Sequence, residues 1–78
     1  MSPFEKAVLV VLANTTKPFG WYNIEVRLSN MNLSERPHLP PVLARLRELG
    51  LVTETHYEEE PTLRYALTSV GRAAAGVP

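Results

Sequence analysis

The sequence predicts an α+β fold in which three short helices lead into a β-hairpin and a last short helix, and three observations carry that reading. Leu39, Leu43, Leu46 and Leu49 recur at steps of four, three and three, the spacing that lines one face of an α-helix. Thr53, Thr55 and Tyr57, and later Leu63, Tyr65 and Leu67, alternate with their neighbours at the period of two that marks strands. Ser2-Pro3 near one end and Thr68-Ser69 near the other set a helix-capping side chain directly before a helix-compatible run.

Size and composition bound what such a fold can do. A chain of 78 residues is expected to form one domain, 1–78, around one small core, because chains this short bury only about 60% of their unfolded surface. Its 8 basic and 8 acidic side chains cancel, so any basic surface must be local. Without cysteine there are no disulfides and no thiolate metal sites, and a cytoplasmic location is expected. The longest apolar run, Ala7 to Ala13, is seven residues long, against roughly 20 for a bilayer span. It also lacks the basic leader of a secretory signal, and no membrane partner is expected.

Helix one should run from Pro3 to Ala13 or Asn14, with Ser2 as its cap, Pro3 in the first position and Glu5 near the positive end of the helix dipole. Phe4, Val8, Val11 and Leu12 form a core stripe. Leu9 and Val10 widen the apolar surface beyond it, to meet either the later strands and last helix or a second subunit. Asn14 to Gly20 reads as a polar turn broken by Pro18 and Gly20. Helix two, Trp21 to Met31, turns Tyr22, Ile24, Leu28 and Met31 inward and Glu25, Arg27 and Asn30 outward. Trp21 suits a core-filling role better than stacking on a ligand. Asn30, Asn32 and Ser34 then make the turn into the central helix, giving a helix-turn-helix.

The central helix lies within His38 to Val52. Pro40 and Pro41 belong in its first turn, where a missing N–H costs no hydrogen bond. Ser34 or His38 caps it, depending on whether Glu35 to Leu39 forms a preceding turn. Gly50 takes the left-handed conformation that ends the helix, and Leu51 folds back on its last turn. Opposite the leucine face stand Pro41, Val42, Arg45 and Glu48, with Arg36 and His38 just upstream. A strand from Val52 and its return through Leu67 flank the turn Glu58-Glu59-Glu60-Pro61. Thr68 or Ser69 caps a final helix through Val70, Arg72 and three alanines. A helix-turn-helix followed by a hairpin is a winged helix-turn-helix.

Several stretches sharpen that description: Ala7 to Ala13, Gly20-Trp21-Tyr22-Asn23-Ile24, Pro40-Pro41-Val42-Leu43, Glu48-Leu49-Gly50-Leu51 and Tyr65-Ala66-Leu67-Thr68-Ser69-Val70-Gly71-Arg72. On these the chain resembles, over nearly its whole length, the winged-helix domain of PadR-type transcriptional regulators, with the last two stretches shared by MarR-type regulators. Pro40 stands where that family commonly has tyrosine. The resemblance implies a sequence-specific DNA-binding homodimer, usually a repressor, that inserts its third helix in a major groove. With no further helical region after Pro78, the dimer surface is expected on helix one and the alanine-rich tail, at Phe4, Leu9, Val10 and Ala74.

The chemistry of the candidate surface follows from its side chains. Arg45 has the reach for a guanine or a phosphate, Arg36 and His38 lie at the helix start, and Ser34 can donate to a phosphate. Pro41 and Val42 offer only apolar contact with a thymine methyl. Arg64 on the return strand is expected to reach a phosphate from the wing, with Lys17 or Arg27 supporting the register. Glu58, Glu59 and Glu60 would be repelled by phosphates, so the wing tip stays clear of the backbone or meets a basic protein partner. Catalysis has little footing: there is no cysteine nucleophile, no Gly-rich phosphate loop and no His-Glu-x-x-His pattern. His38 and His56 lie in different elements, and Glu54 and Glu58 add no ligand spacing, so no metal, cofactor or enzymatic activity is expected. The function expected is a DNA-binding transcriptional regulator; the alternative is a winged helix used as a protein-interaction module.

Overall fold

The computed structural model describes residues 1–15, 17–33, 36–59 and 63–76. Its elements follow as α1 (Pro3–Ala13), β1 (Phe19–Gly20), α2 (Trp21–Ser29), α3 (Leu39–Glu48), β2 (Val52–His56), β3 (Leu63–Leu67) and α4 (Ser69–Ala75). The three strands form an antiparallel sheet in the order β1-β3-β2. This is an α+β winged helix-turn-helix, with one addition to the expected hairpin. Phe19 and Gly20, read from sequence as part of a turn, pair with Tyr65 and Arg64 and make the hairpin's third strand.

Local chemistry sets the helix ends. Ser2 and Glu5 close a reciprocal capping box on α1: the Glu5 N–H donates to Ser2 Oγ at 3.1 Å, and the Ser2 N–H donates to Glu5 Oε1 at 2.9 Å. Gly50, at φ 76°, ends α3 in a Schellman turn, its N–H donating to Arg47 O and that of Leu51 to Leu46 O. Leu51 is thereby buried beneath the helix. Thr68 then ties the wing to this corner: its hydroxyl donates to Gly50 O at 2.6 Å and accepts from the Gly71 N–H at 2.9 Å, capping α4. Its own N–H donates to Leu51 O.

One core gathers Phe4, Val8, Leu9 and Leu12 of α1, Ile24 and Leu28 of α2, Leu39, Leu43 and Leu46 of α3, and Val52, Tyr65 and Ala75 behind them. Phe4 is buried with the core stripe, and Leu9 is buried against its own chain rather than left for a second subunit, because β3, α2 and α4 pack around α1. Other expected side-chain placements change. Tyr22, expected inward, is 66% exposed. It lies two residues before Ile24, about 200° round the helix from it, and cannot share its face. Trp21 is 40% exposed rather than core-filling. Leu49 becomes the C-cap of α3 and is exposed, its expected inward place taken by Leu51 across the glycine turn. Helix two ends at Ser29, so Met31 lies beyond it, half-buried.

Candidate nucleic-acid interface

The surface built on α3 has a clear local logic. Leu39, Leu43 and Leu46 anchor one face in the core, which turns Pro41, Ala44, Arg45 and Glu48 outward. Pro40 and Pro41 occupy the first turn, and His38 is the cap position, although its side chain makes no capping bond. Arg36, His38 and Pro41 are exposed. Val42, expected at the groove, is half-buried and packs on the core. Ser34 lies outside the described residues.

Both arginines of the helix are matched by carboxylates. Arg45 Nε stands 2.9 Å from Oε2 of Glu5 on α1, the guanidinium side 67% exposed and the carboxylate 11%. Arg47 Nη1 donates to Glu54 Oε2 on β2 at 3.0 Å. The Ser2 N–H holds the Glu5 carboxyl below the usual carboxylate range, aided by the Ser2 hydroxyl, Arg45 and the N-terminal charge against the opposing effect of burial. Sequence reading had no signal for these pairings, since Glu5 and Arg45 are 40 positions apart. Arg47 and Glu54 were not among the expected site residues.

Arg64 lies on the return strand β3, where the sequence places it. It is the second residue of β3 after the hairpin turn, opposite Thr55 and Gly20 in the sheet. Its Nη1 donates to Pro18 O at 3.2 Å, and its guanidinium lies 5.9 Å from the Tyr57 ring centre. With Lys17, Pro18 and Tyr57 it lines a cavity of about 230 Å³. On its other side, Gly20, Trp21, Tyr22 and Asn23 line a second one of about 380 Å³, where Trp21 and Tyr22 meet edge to face at 6.2 Å. Arg27 is laid over the Phe19 ring at 5.5 Å. Arg36 instead borders a cleft with Phe4, Glu25, Leu28 and Pro37. Pro41 and Arg45 thus lie on α3, His38 caps it, Arg36 stands just before it, and Arg64 lies on β3 beside β1.

Glu58 and Glu59 are exposed at the wing turn. Of the residues expected at a dimer contact, Phe4 and Leu9 are consumed by the core, while Val10 and Ala74 keep part of their surface. Among the described residues no three His, Asp or Glu side chains gather into a group that could hold a metal ion. No described helix is long and apolar enough to cross a membrane.

No protein-family model and no curated protein matches the chain. Solved structures do. A probable transcriptional regulator from Pseudomonas aeruginosa is similar with a TM-score of 0.75 at 26% identity, covering 97% of this chain and 54% of that one. The complex structure of hsRosR-S1 is similar with a TM-score of 0.76 at 27% identity, covering 97% and 67%. A PadR-like transcription factor from Bacteroides fragilis, at 24% identity and a TM-score of 0.69, covers 92% and 72% and shares the fold. The chain spans about half the length of the Pseudomonas protein. The winged helix-turn-helix fold read from the sequence is thus shared with these solved structures.

Proposed function

We propose that residues 1–78 form a DNA-binding domain of a cytoplasmic transcriptional regulator, a repressor, which acts as a homodimer and lays α3 in a major groove. The observation that carries this reading is the outer face of α3. The helix is anchored by three buried leucines, flanked by a wing, and exposed at Pro41, Arg45 and Glu48. Structural neighbours of this chain are transcriptional regulators, which supports the same reading.

Arg45 is the residue assigned to a base, Arg36 and His38 to the flanking backbone, and Ser34, five positions before α3 in the sequence, to a phosphate. Pro41, with the exposed part of Val42, supplies apolar contact. Arg64 and Lys17 serve a phosphate beside β1 rather than at the wing tip. A dimer built on Val10 and Ala74 would place half-sites about 34 Å apart.

Titration of the purified protein with random duplexes and selected sites across a salt series tests this. Selective binding is expected, with the slope of log K against log salt steepening by about 0.9 for each phosphate neutralised. No binding at low salt, where attraction is strongest, would overturn it. A second reading, a winged helix that binds a protein, is favoured by the zero net charge, the paired arginines of α3 and the acidic wing turn. It predicts no selective duplex binding and capture of a basic partner that is lost when Glu58 and Glu59 become glutamine.

A further inference from the structure

Glu5 belongs to α1, yet its carboxylate is fixed at both oxygens. Oε1 accepts from the Ser2 N–H at 2.9 Å, and Oε2 faces Arg45 Nε at 2.9 Å. The side chain is nearly buried, and the capping box holds it in one rotamer at the start of the helix. Arg45 by contrast is a long side chain on an exposed face. Without a partner it would spread over many rotamers and lose that freedom when a ligand orders it. The ion pair with Glu5 is the contact the described residues make with its guanidinium, and it falls on the Nε edge. A guanidinium is a rigid plane, so engagement at Nε leaves the two terminal nitrogens as a fork. Two parallel N–H donors are what the O6 and N7 of a guanine accept.

Arg47 shows the other arrangement. Glu54 takes one of its terminal nitrogens, so Arg47 braces α3 against β2 and its terminal pair is already engaged in part.

We infer that Glu5 is a positioning residue that holds the Arg45 guanidinium with its terminal fork presented to a guanine in the groove. The inference rests on the DNA-reading function proposed above, and it places a determinant of sequence preference on α1, outside the helix-turn-helix. The carboxylate also tempers non-specific binding. It offsets the Arg45 charge, so duplexes that offer no guanine at that position gain less from electrostatic attraction.

Glu5→Gln tests this, because glutamine also completes a capping box and leaves the end of α1 intact. Affinity for the selected site should fall roughly tenfold, while affinity for an unrelated duplex holds or rises. A folding defect would lower both together. The guanine preference should relax at one base pair, the same one relaxed by Arg45→Ala, and the double variant should bind no more weakly than Arg45→Ala alone. If Glu5→Gln is too unstable to measure, Arg45→Lys keeps the charge without the fork and should lose the same preference at unchanged non-specific affinity. An unaltered specificity ratio in these variants, with selective wild-type binding, overturns the inference and leaves the regulator reading standing. Absence of selective binding by the wild type overturns both.

Discussion

Replacing Gly71 by alanine probes the corner where wing, α3 and α4 meet. In an ordinary helix this change favours folding by about 1 kcal/mol, because alanine restricts the unfolded chain. At Gly71 the added Cβ would lie 1.9 Å from Leu51 O and 2.9 Å from Leu51 C, both backbone atoms that cannot rotate away. To restore a 3.0 Å separation from the oxygen, α4 must move by about 1 Å. That motion opens the Thr68 bonds to Gly50 O and Leu51 O and the seat of Ala75 against the core. Overpacking of this kind costs about 1–3 kcal/mol and here meets backbone, so a net loss of about 2 kcal/mol is expected after the helix gain. In a domain of this size that lowers Tm by about 8–16 °C. Thermal and urea unfolding followed by circular dichroism read it directly. Gly50→Ala serves as the comparison: nothing lies within 4 Å of its Cβ, so its loss of about 1 kcal/mol comes from the left-handed φ of 76° alone. A Gly71→Ala protein as stable as the wild type would refute the packing described for this corner.

Three further outcomes follow from the same contacts. Thr68→Val keeps the shape but removes the hydroxyl that caps α4 and donates to Gly50 O, and should cost about 1–3 kcal/mol in urea unfolding. Ser2→Ala removes one half of the α1 capping box, and a loss of about 1 kcal/mol is expected, with faster amide exchange in the first turn. Because the folded Glu5 carboxyl is held below its unfolded value, the folded state binds fewer protons in the acid range. The stabilisation is complete above about pH 4.3, the unfolded value, and disappears as pH falls through the folded one. The stability gap between wild type and Glu5→Gln should therefore shrink across that acid window, and a gap that widens there would contradict the assignment.

Much of this architecture was legible because local chemistry and tertiary contact agree. Ser2-Pro3 and Thr68 announce helix starts, Gly50-Leu51 announces a helix end, and the Leu39, Leu43, Leu46 steps name the buried face of α3. What escaped has a physical cause in each case. Phe19-Gly20 is too short to show alternation, and it becomes a strand only because β3 offers an edge. Leu9 suits either the sheet and last helix or a second subunit by sequence alone, and only the way β3 and α4 enclose α1 decides for the first. Leu49 satisfied the helical spacing, but the turn at Gly50 substitutes Leu51 for it. The pairing of Arg45 with Glu5 and of Arg47 with Glu54 depends on how α1 and β2 approach α3, which no periodicity encodes. Family resemblance predicted a use for α3 but carried no information on these partners.

Contact between DNA and the outer face of α3 can be read from the amide and arginine side-chain resonances of the protein as a selected duplex is added. Shifts are expected to concentrate at Arg36, His38, Pro41's neighbours and the Arg45 side chain, with a smaller set at Lys17 and Arg64 and none at Glu58 and Glu59. Shifts centred on the acidic wing turn, or an α3 face that stays silent while the duplex binds, would contradict it.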